Sequence, residues 1–210
     1  MTPVTTLRRR SPTPAPAGAE DAADHRRRLL DGLAASIATD GYRKTTVADI
    51  VRRAHTSRRT FYEHFTGKED CLAALLAENN AEAIREINAA VDPAAAWQTQ
   101  IRQAVEAWVA HAESATPITL SWIRDLPASG ALARRSHREA SEAYITAIQN
   151  LCDTEMMHTS GVGPISRQQA LIILGGLREV LAATVEEGGR PSDLTEVVVD
   201  AVIALVGPRG

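Results

Sequence analysis

The 210 residues contain only two cysteines, Cys71 and Cys152. Neither sits in a CxxC pair or beside a basic cluster, so a disulfide scaffold is excluded and packing in a reducing compartment is their expected role. Long apolar runs are missing as well. The longest wholly apolar or glycine stretch, Ala170 to Leu177, is far short of the ~20 residues that span a bilayer. The arginines at 8 to 10 lead into SPTPAPAGAE and not into an apolar leader core, so a cytoplasmic location without a membrane partner is expected. Catalytic signatures are equally absent: there is no G-x-S-x-G, no Walker loop, no HExxH and no metal-ligand spacing. Glu139 with Glu142, and His111 with Glu113, read as solvated helical positions. No enzyme activity, catalytic residue, metal or cofactor is therefore expected.

A chain of this length can bury one or two apolar cores without covalent staples. Its formal charge of −3 is unevenly spread. Residues 1 to 60 hold twelve Arg or Lys against six Asp or Glu, whereas the remainder holds eleven against twenty. A basic head on an acidic body implies that the head alone meets a polyanion.

Residues 1–22 are rich in Pro, Ala, Thr and Arg with little to bury, which predicts a disordered basic arm. Arg8, Arg9 and Arg10 could carry such an arm into a DNA groove. From Asp24 the pattern turns helical, with Leu29, Leu30, Leu33, Ala34, Ile37 and Ala38 recurring at three- and four-residue steps up to a C-terminal cap at Gly41. Thr45 or Thr46 then caps a short helix carrying Val47, Ile50, Val51 and Ala54. After a break at Ala54-His55-Thr56, Ser57 caps another, whose Phe61 and Phe65 share a buried face. A long helix follows from Lys68. Later helical patterns run over about 94–114, 117–125, 130–157, 166–187 and 192–206, with breaks at prolines and glycines. Val197-Val198-Val199 is β-like in composition, but Asp193 can cap a helix there and Leu194, Val198, Ala201 and Leu205 keep helical spacing. The fold class is all-α with eight or nine helices: a helix-turn-helix domain over 23–68 and a helical domain over 69–210.

Two short helices joined by a tight turn have the organisation of a helix-turn-helix, whose second helix enters the major groove. At its N-terminus Arg58 and Arg59 can donate paired hydrogen bonds to guanine O6 and N7, and Thr60 can meet a base edge or a thymine methyl. Ser57 and His64 flank this reading face. Thr45 and Thr46, at a helix N-terminus, suit a phosphate. Tyr62 and Lys68 add a phenolic donor and a positive charge for the backbone. Glu63, acidic within that surface, is suited to rejecting some bases or to accepting from a cytosine amino group.

The segment TTVADIVRRAHTSRRTFYEHFTGKEDCLAALL, residues 45 to 76, resembles the DNA-binding signature of the tetracycline-repressor (TetR) family. Thr46, Ile50, Ala54, Ser57, Phe61-Tyr62, His64-Phe65, Lys68-Glu69 and Leu72 carry the resemblance. It implies an all-helical homodimer, a variable C-terminal domain that binds a small-molecule effector, and ligand-triggered release from a palindromic operator in double-stranded DNA. One departure is His55, where the family turn usually has glycine. A positive φ there costs more for a side chain, although histidine is among the residues enriched in that region. A constitutive or architectural DNA-binding protein, with a C-terminal half that only dimerises, is the alternative reading.

Residues 94 to 157 hold Trp97, Trp108, Trp122, Tyr144, His111, His137, Met156 and Met157. Most are expected in the ordinary core, with Trp108, Trp122 and Tyr144 the candidates for lining an effector pocket. The last two helices, about 166–187 and 192–206, carry apolar stripes formed by Leu171, Leu174, Leu177, Leu181 and by Leu194, Val198, Ala201, Leu205. These are too wide for one small core, and Gly175-Gly176 would allow close approach. A four-helix homodimer interface is therefore expected.

Overall fold

The computed structural model describes residues 17–128 and 131–208, and the arginines at 8 to 10 lie outside them. Among the described residues the chain is helical throughout, with no strand. Helix α1 spans Ala17–Asp40, α2 Val47–Arg53, α3 Arg58–His64 and α4 Lys68–Ala90. Leu29, Leu30, Leu33 and Ile37 form the buried stripe of α1. Gly41, at φ +76°, caps it as expected, its N–H donating to Ile37 O at 3.0 Å. The helix begins seven residues before the expected start at Asp24. That first stretch has no apolar period; it is alanine-rich, and alanine is the best helix former, while Asp24 pairs with Arg27 and Arg28 one turn on.

Both short helices are capped from the sequence. Thr46 accepts from Asp49 N, while the Asp49 carboxylate accepts from Thr46 N at 3.0 Å, a reciprocal capping box. Ser57 accepts from Thr60 N at 3.0 Å. Between them His55 takes φ +50°, the only positive φ of a non-glycine residue among those described. The expected strain at the glycine-to-histidine departure is therefore present.

The body contains α5 (Trp97–Ser114) and α6 (Thr116–Leu120), which widens into a π turn at Ser121–Asp125 and tightens into a 3₁₀ turn at Leu126–Ala128. Helices α7 (Ala131–Cys152), α8 (Glu155–Thr159), α9 (Arg167–Glu186) and α10 (Thr195–Val206) complete it, with a 3₁₀ turn at Pro191–Leu194. The single helix expected over 130–157 is interrupted because the Thr154 hydroxyl accepts from Met157 N and starts a new helix instead of continuing the old one.

Helix α4 packs against α1, α5 and α7. Cys71, Leu72 and Leu76 near its start and Ala83 and Ile87 near its end all belong to one contiguous core shared with Phe61, Trp108, Leu174 and Val202. Burial pushes the thiol of Cys71 up to about 12 and that of Cys152 up to about 11. Neither cysteine offers a reactive thiolate near neutrality, which agrees with packing roles.

Candidate nucleic-acid interface and interior cavity

Phe61 and Phe65 anchor α3: both are buried, with ring centroids 5.6 Å apart. Rotation of α3 about that anchor is fixed, so Ser57, Arg58, Arg59, Tyr62 and Glu63 are exposed together and Thr60 and His64 are half-buried beside them. Tyr62 keeps 60% of its surface exposed although its ring stands edge-on to Phe61 at 5.3 Å. Arg59 Nε donates to Glu63 Oε1 at 3.1 Å. Both side chains are exposed, so this pair contributes little to stability. Its consequence is geometric, since it holds one guanidinium along the helix axis. The hydroxyls of Ser57 and Thr60 lie 2.9 Å apart, which fixes the Thr60 rotamer.

Three of the phosphate-binding expectations change. Thr45 is buried, its hydroxyl donating to Gly41 O at 2.9 Å, so it supports the α1–α2 loop from inside and has no route to a phosphate. Thr46 is exposed, but the carboxylate at the α2 N-terminus is already Asp49, held below the usual carboxylate range by hydrogen bonds from the Thr46 hydroxyl and amide. An incoming phosphate there meets a negative charge. Lys68 is drawn inward: its ammonium donates to Thr45 O at 2.8 Å and Tyr42 O at 3.1 Å and lies 4.3 Å from the Tyr42 ring centroid. It staples the loop ahead of α2. The exposed cations Lys44 and Arg52 border the same loop and α2, and the sequence reading passed over them.

Gly32 was also missed. It faces α2 so closely that a Cβ built on it would lie 2.7 Å from Ile50 O and 3.1 Å from Ala54 N. A lone glycine inside an apolar helical period is the signal that could have found it.

A partly open cavity of about 70 Å³ lies between α4, α5, α7, α9 and α10. Its walls are apolar almost throughout, among them Ile87, Ile101, Trp108, Tyr144, Ile173 and Val202. Trp108 and Tyr144, two of the three aromatic candidates, are thus among its walls. Trp122 does not line the cavity; it sits one layer out on the π turn, its ring stacked against Tyr144 at 5.3 Å. A second polar layer surrounds it, with Arg178 over the indole at 4.3 Å and His137 at 5.9 Å. His111 is bound elsewhere, to Glu86 at 2.7 Å. Among the described residues no cluster of His, Cys, Asp or Glu could hold a metal ion, and no helix is long and apolar enough to cross a membrane.

The apolar stripes of the last two helices divide. Leu174, Leu181 and Val198 face the protomer's own core, and Leu177 and Leu194 pack partly against it. Leu171, Ala201 and Leu205 remain exposed, joined by Ile172, Val180 and Val197. All the exposed large apolar side chains among the described residues except Tyr62 lie on α9 or α10.

Residues 29–75 match the family model for bacterial regulatory proteins of the tetR family. A comparison with curated protein sequences gives no match. Among solved structures, the fold is similar to the fatty acid degradation regulator FadR of Bacillus halodurans, with 21% identity, 88% of this chain and 96% of that chain covered, and a TM-score of 0.72. The transcriptional regulator FadR of Bacillus subtilis in complex with stearoyl-CoA gives 17%, 88%, 99% and 0.73. A TetR-family transcriptional regulator of Streptomyces coelicolor gives 19%, 92%, 96% and 0.67.

Proposed function

We propose that this chain, a DNA-binding transcriptional regulator with a TetR-family N-terminal domain, binds a palindromic operator as a homodimer and releases it when a largely apolar small molecule enters the cavity. The observation that carries this reading is the position of the cavity behind α4. Ile87, near the end of that helix, lines it. Leu72 and Leu76, near its start, pack into the core of the DNA-reading head.

The cavity's size supplies the mechanism. Pockets that hold drug-sized ligands measure roughly 300–1,000 Å³, and about 70 Å³ is present here. Close-packed interiors do not stretch continuously, so an effector is admitted only if the surrounding helices separate, α4 among them. The ligand acts through its preference for that separated state. The stearoyl-CoA bound by the Bacillus subtilis relative in fold supports an apolar effector. Dimerisation through α9 and α10 is supported by the exposed apolar face they share, which a two-fold partner would cover. Cytoplasmic action without catalysis fits the same reading.

On the DNA side, Arg58 and Arg59 read bases while Tyr62 holds the backbone. On single-base-pair variants of the operator, Arg58→Ala and Arg59→Ala are expected to flatten the preference at particular positions by ~1–3 kcal/mol, whereas Tyr62→Ala weakens every sequence alike. Equal losses on all sequences for the arginine variants would contradict this division.

A further inference from the structure

Arg178 is a half-buried cation with no carboxylate among the described residues in a salt bridge to it. Glu179, its neighbour in sequence, is turned to Arg124, which it meets at 3.0 Å. Arg178 instead lies over Trp122 and places Nη2 3.1 Å from His137 Nε2 and Nη1 3.5 Å from the Ser141 hydroxyl. Burial, with Arg178 beside it, pushes His137 down to about 4, so the imidazole is neutral and accepts from the guanidinium at Nε2. Its proton then sits on Nδ1, and that buried N–H has no acceptor. The indole N–H of Trp122, on a residue only 2% exposed, has none either.

The cluster is therefore rich in donors and poor in acceptors, with one uncompensated positive charge. Buried donors and charges left in this state are costly, and the ring beneath Arg178 offsets only part of that cost. The cluster adjoins the apolar cavity: Tyr144 lines the cavity and stacks on Trp122, and Leu174 and Leu177, which precede Arg178 on α9, line it as well.

We infer that Arg178, Trp122 and His137 form the anion-recognising end of the effector site, and that the effector is an amphipathic carboxylic acid whose aliphatic body fills the cavity. This rests on the cavity being the effector site. The carboxylate supplies the missing acceptor and counter-charge, and an Arg–carboxylate pair suits that exchange because it forms two parallel hydrogen bonds. Reaching the cluster draws the ligand to the π turn, whose Asp125 pairs at 3.2 Å with Arg43 in the loop between α1 and α2. Ligand recognition and the DNA-reading head thereby share one short segment.

Calorimetric titration of the full-length protein with octanoate and with octanol tests the inference. Octanoate is expected to bind about tenfold or more tightly than octanol. Arg178→Met, which keeps an unbranched side chain at the half-buried position and removes its charge, is expected to bring octanoate to the level of octanol. Trp122→Phe keeps the ring under the guanidinium and is expected to lose a smaller part of the preference. If the two ligands bind equally, or Arg178→Met leaves octanoate binding unchanged, anion recognition is wrong while the cavity stands as an apolar site. Failure of both ligands to bind removes the aliphatic effector site itself, and the inference with it.

Discussion

Gly32→Val is expected to dismantle the DNA-reading head while leaving the helical body folded and dimeric. The added side chain has nowhere to go, because the atoms it meets are backbone. Its Cβ alone would stand 2.7 Å from Ile50 O, and that carbonyl already accepts from Ala54 N at 2.9 Å inside α2. Neither atom can swing aside as a flexible side chain does. Helices α1 and α2 must separate, and α2 takes Ile50 and Val51 out of the core with it. Overpacking of this kind costs about 1–3 kcal/mol for a single extra carbon and more for a branched side chain, against total stabilities of about 5–15 kcal/mol. Gly32→Ala should show the milder form, although alanine favours helix by about 0.5–1 kcal/mol over glycine. Thermal unfolding followed by circular dichroism, with a gel shift on the operator, reads both effects. An alanine variant with wild-type melting and wild-type DNA affinity would contradict the close crossing.

The second large effect concerns assembly. Ile172→Asp combined with Val197→Asp is expected to turn the dimer into a folded monomer and to lower operator affinity by about 10²–10⁴-fold, the gain that linked binding of two half-sites provides. Both side chains are about three-fifths exposed in the protomer, so their replacement leaves its core intact. Beside them on α9, Gly175 and Gly176 have nothing within 4 Å of an added Cβ. That open strip lets a second α9–α10 pair come close. A contiguous apolar face of this kind is uncommon on a monomer. Sedimentation velocity distinguishes the outcomes, and a double variant that remains dimeric at micromolar concentration would place the interface elsewhere.

The head was legible from sequence because its signals are local. Ser57 capping α3, the Phe61/Phe65 spacing and the turn at His55 each depend on neighbours within a few residues, and each stands as read. What escaped the reading depends on contacts distant in the chain. Nothing in Thr45-Thr46 tells which hydroxyl turns inward; the Gly41 carbonyl decides it. Lys68 looks like a phosphate ligand until the Tyr42 ring and two loop carbonyls are seen to occupy it. The stripes on α9 and α10 were visible as apolar, but a period of three to four cannot say which flank meets the protomer's own core and which is left for a partner.

Trp122 and Arg178 show the same limit in the site. An aromatic residue in the middle of a helical pattern reads as a cavity wall, yet the π turn at Ser121–Asp125 sets Trp122 one layer back, and no residue type announces such a turn. Arg178, which stands beside Glu179 on α9, was passed over in the sequence. Only the fold brings it to Trp122 and His137.

Selection of bound fragments from random DNA by the purified full-length protein, at physiological salt, tests the central claim most directly. A dimer built on the α9–α10 face and reading through α3 should recover a palindrome whose half-sites lie about one helical turn, or a multiple of it, apart. Weak binding that falls steeply with salt and yields no shared sequence would contradict it, and would describe a protein that holds DNA without reading it.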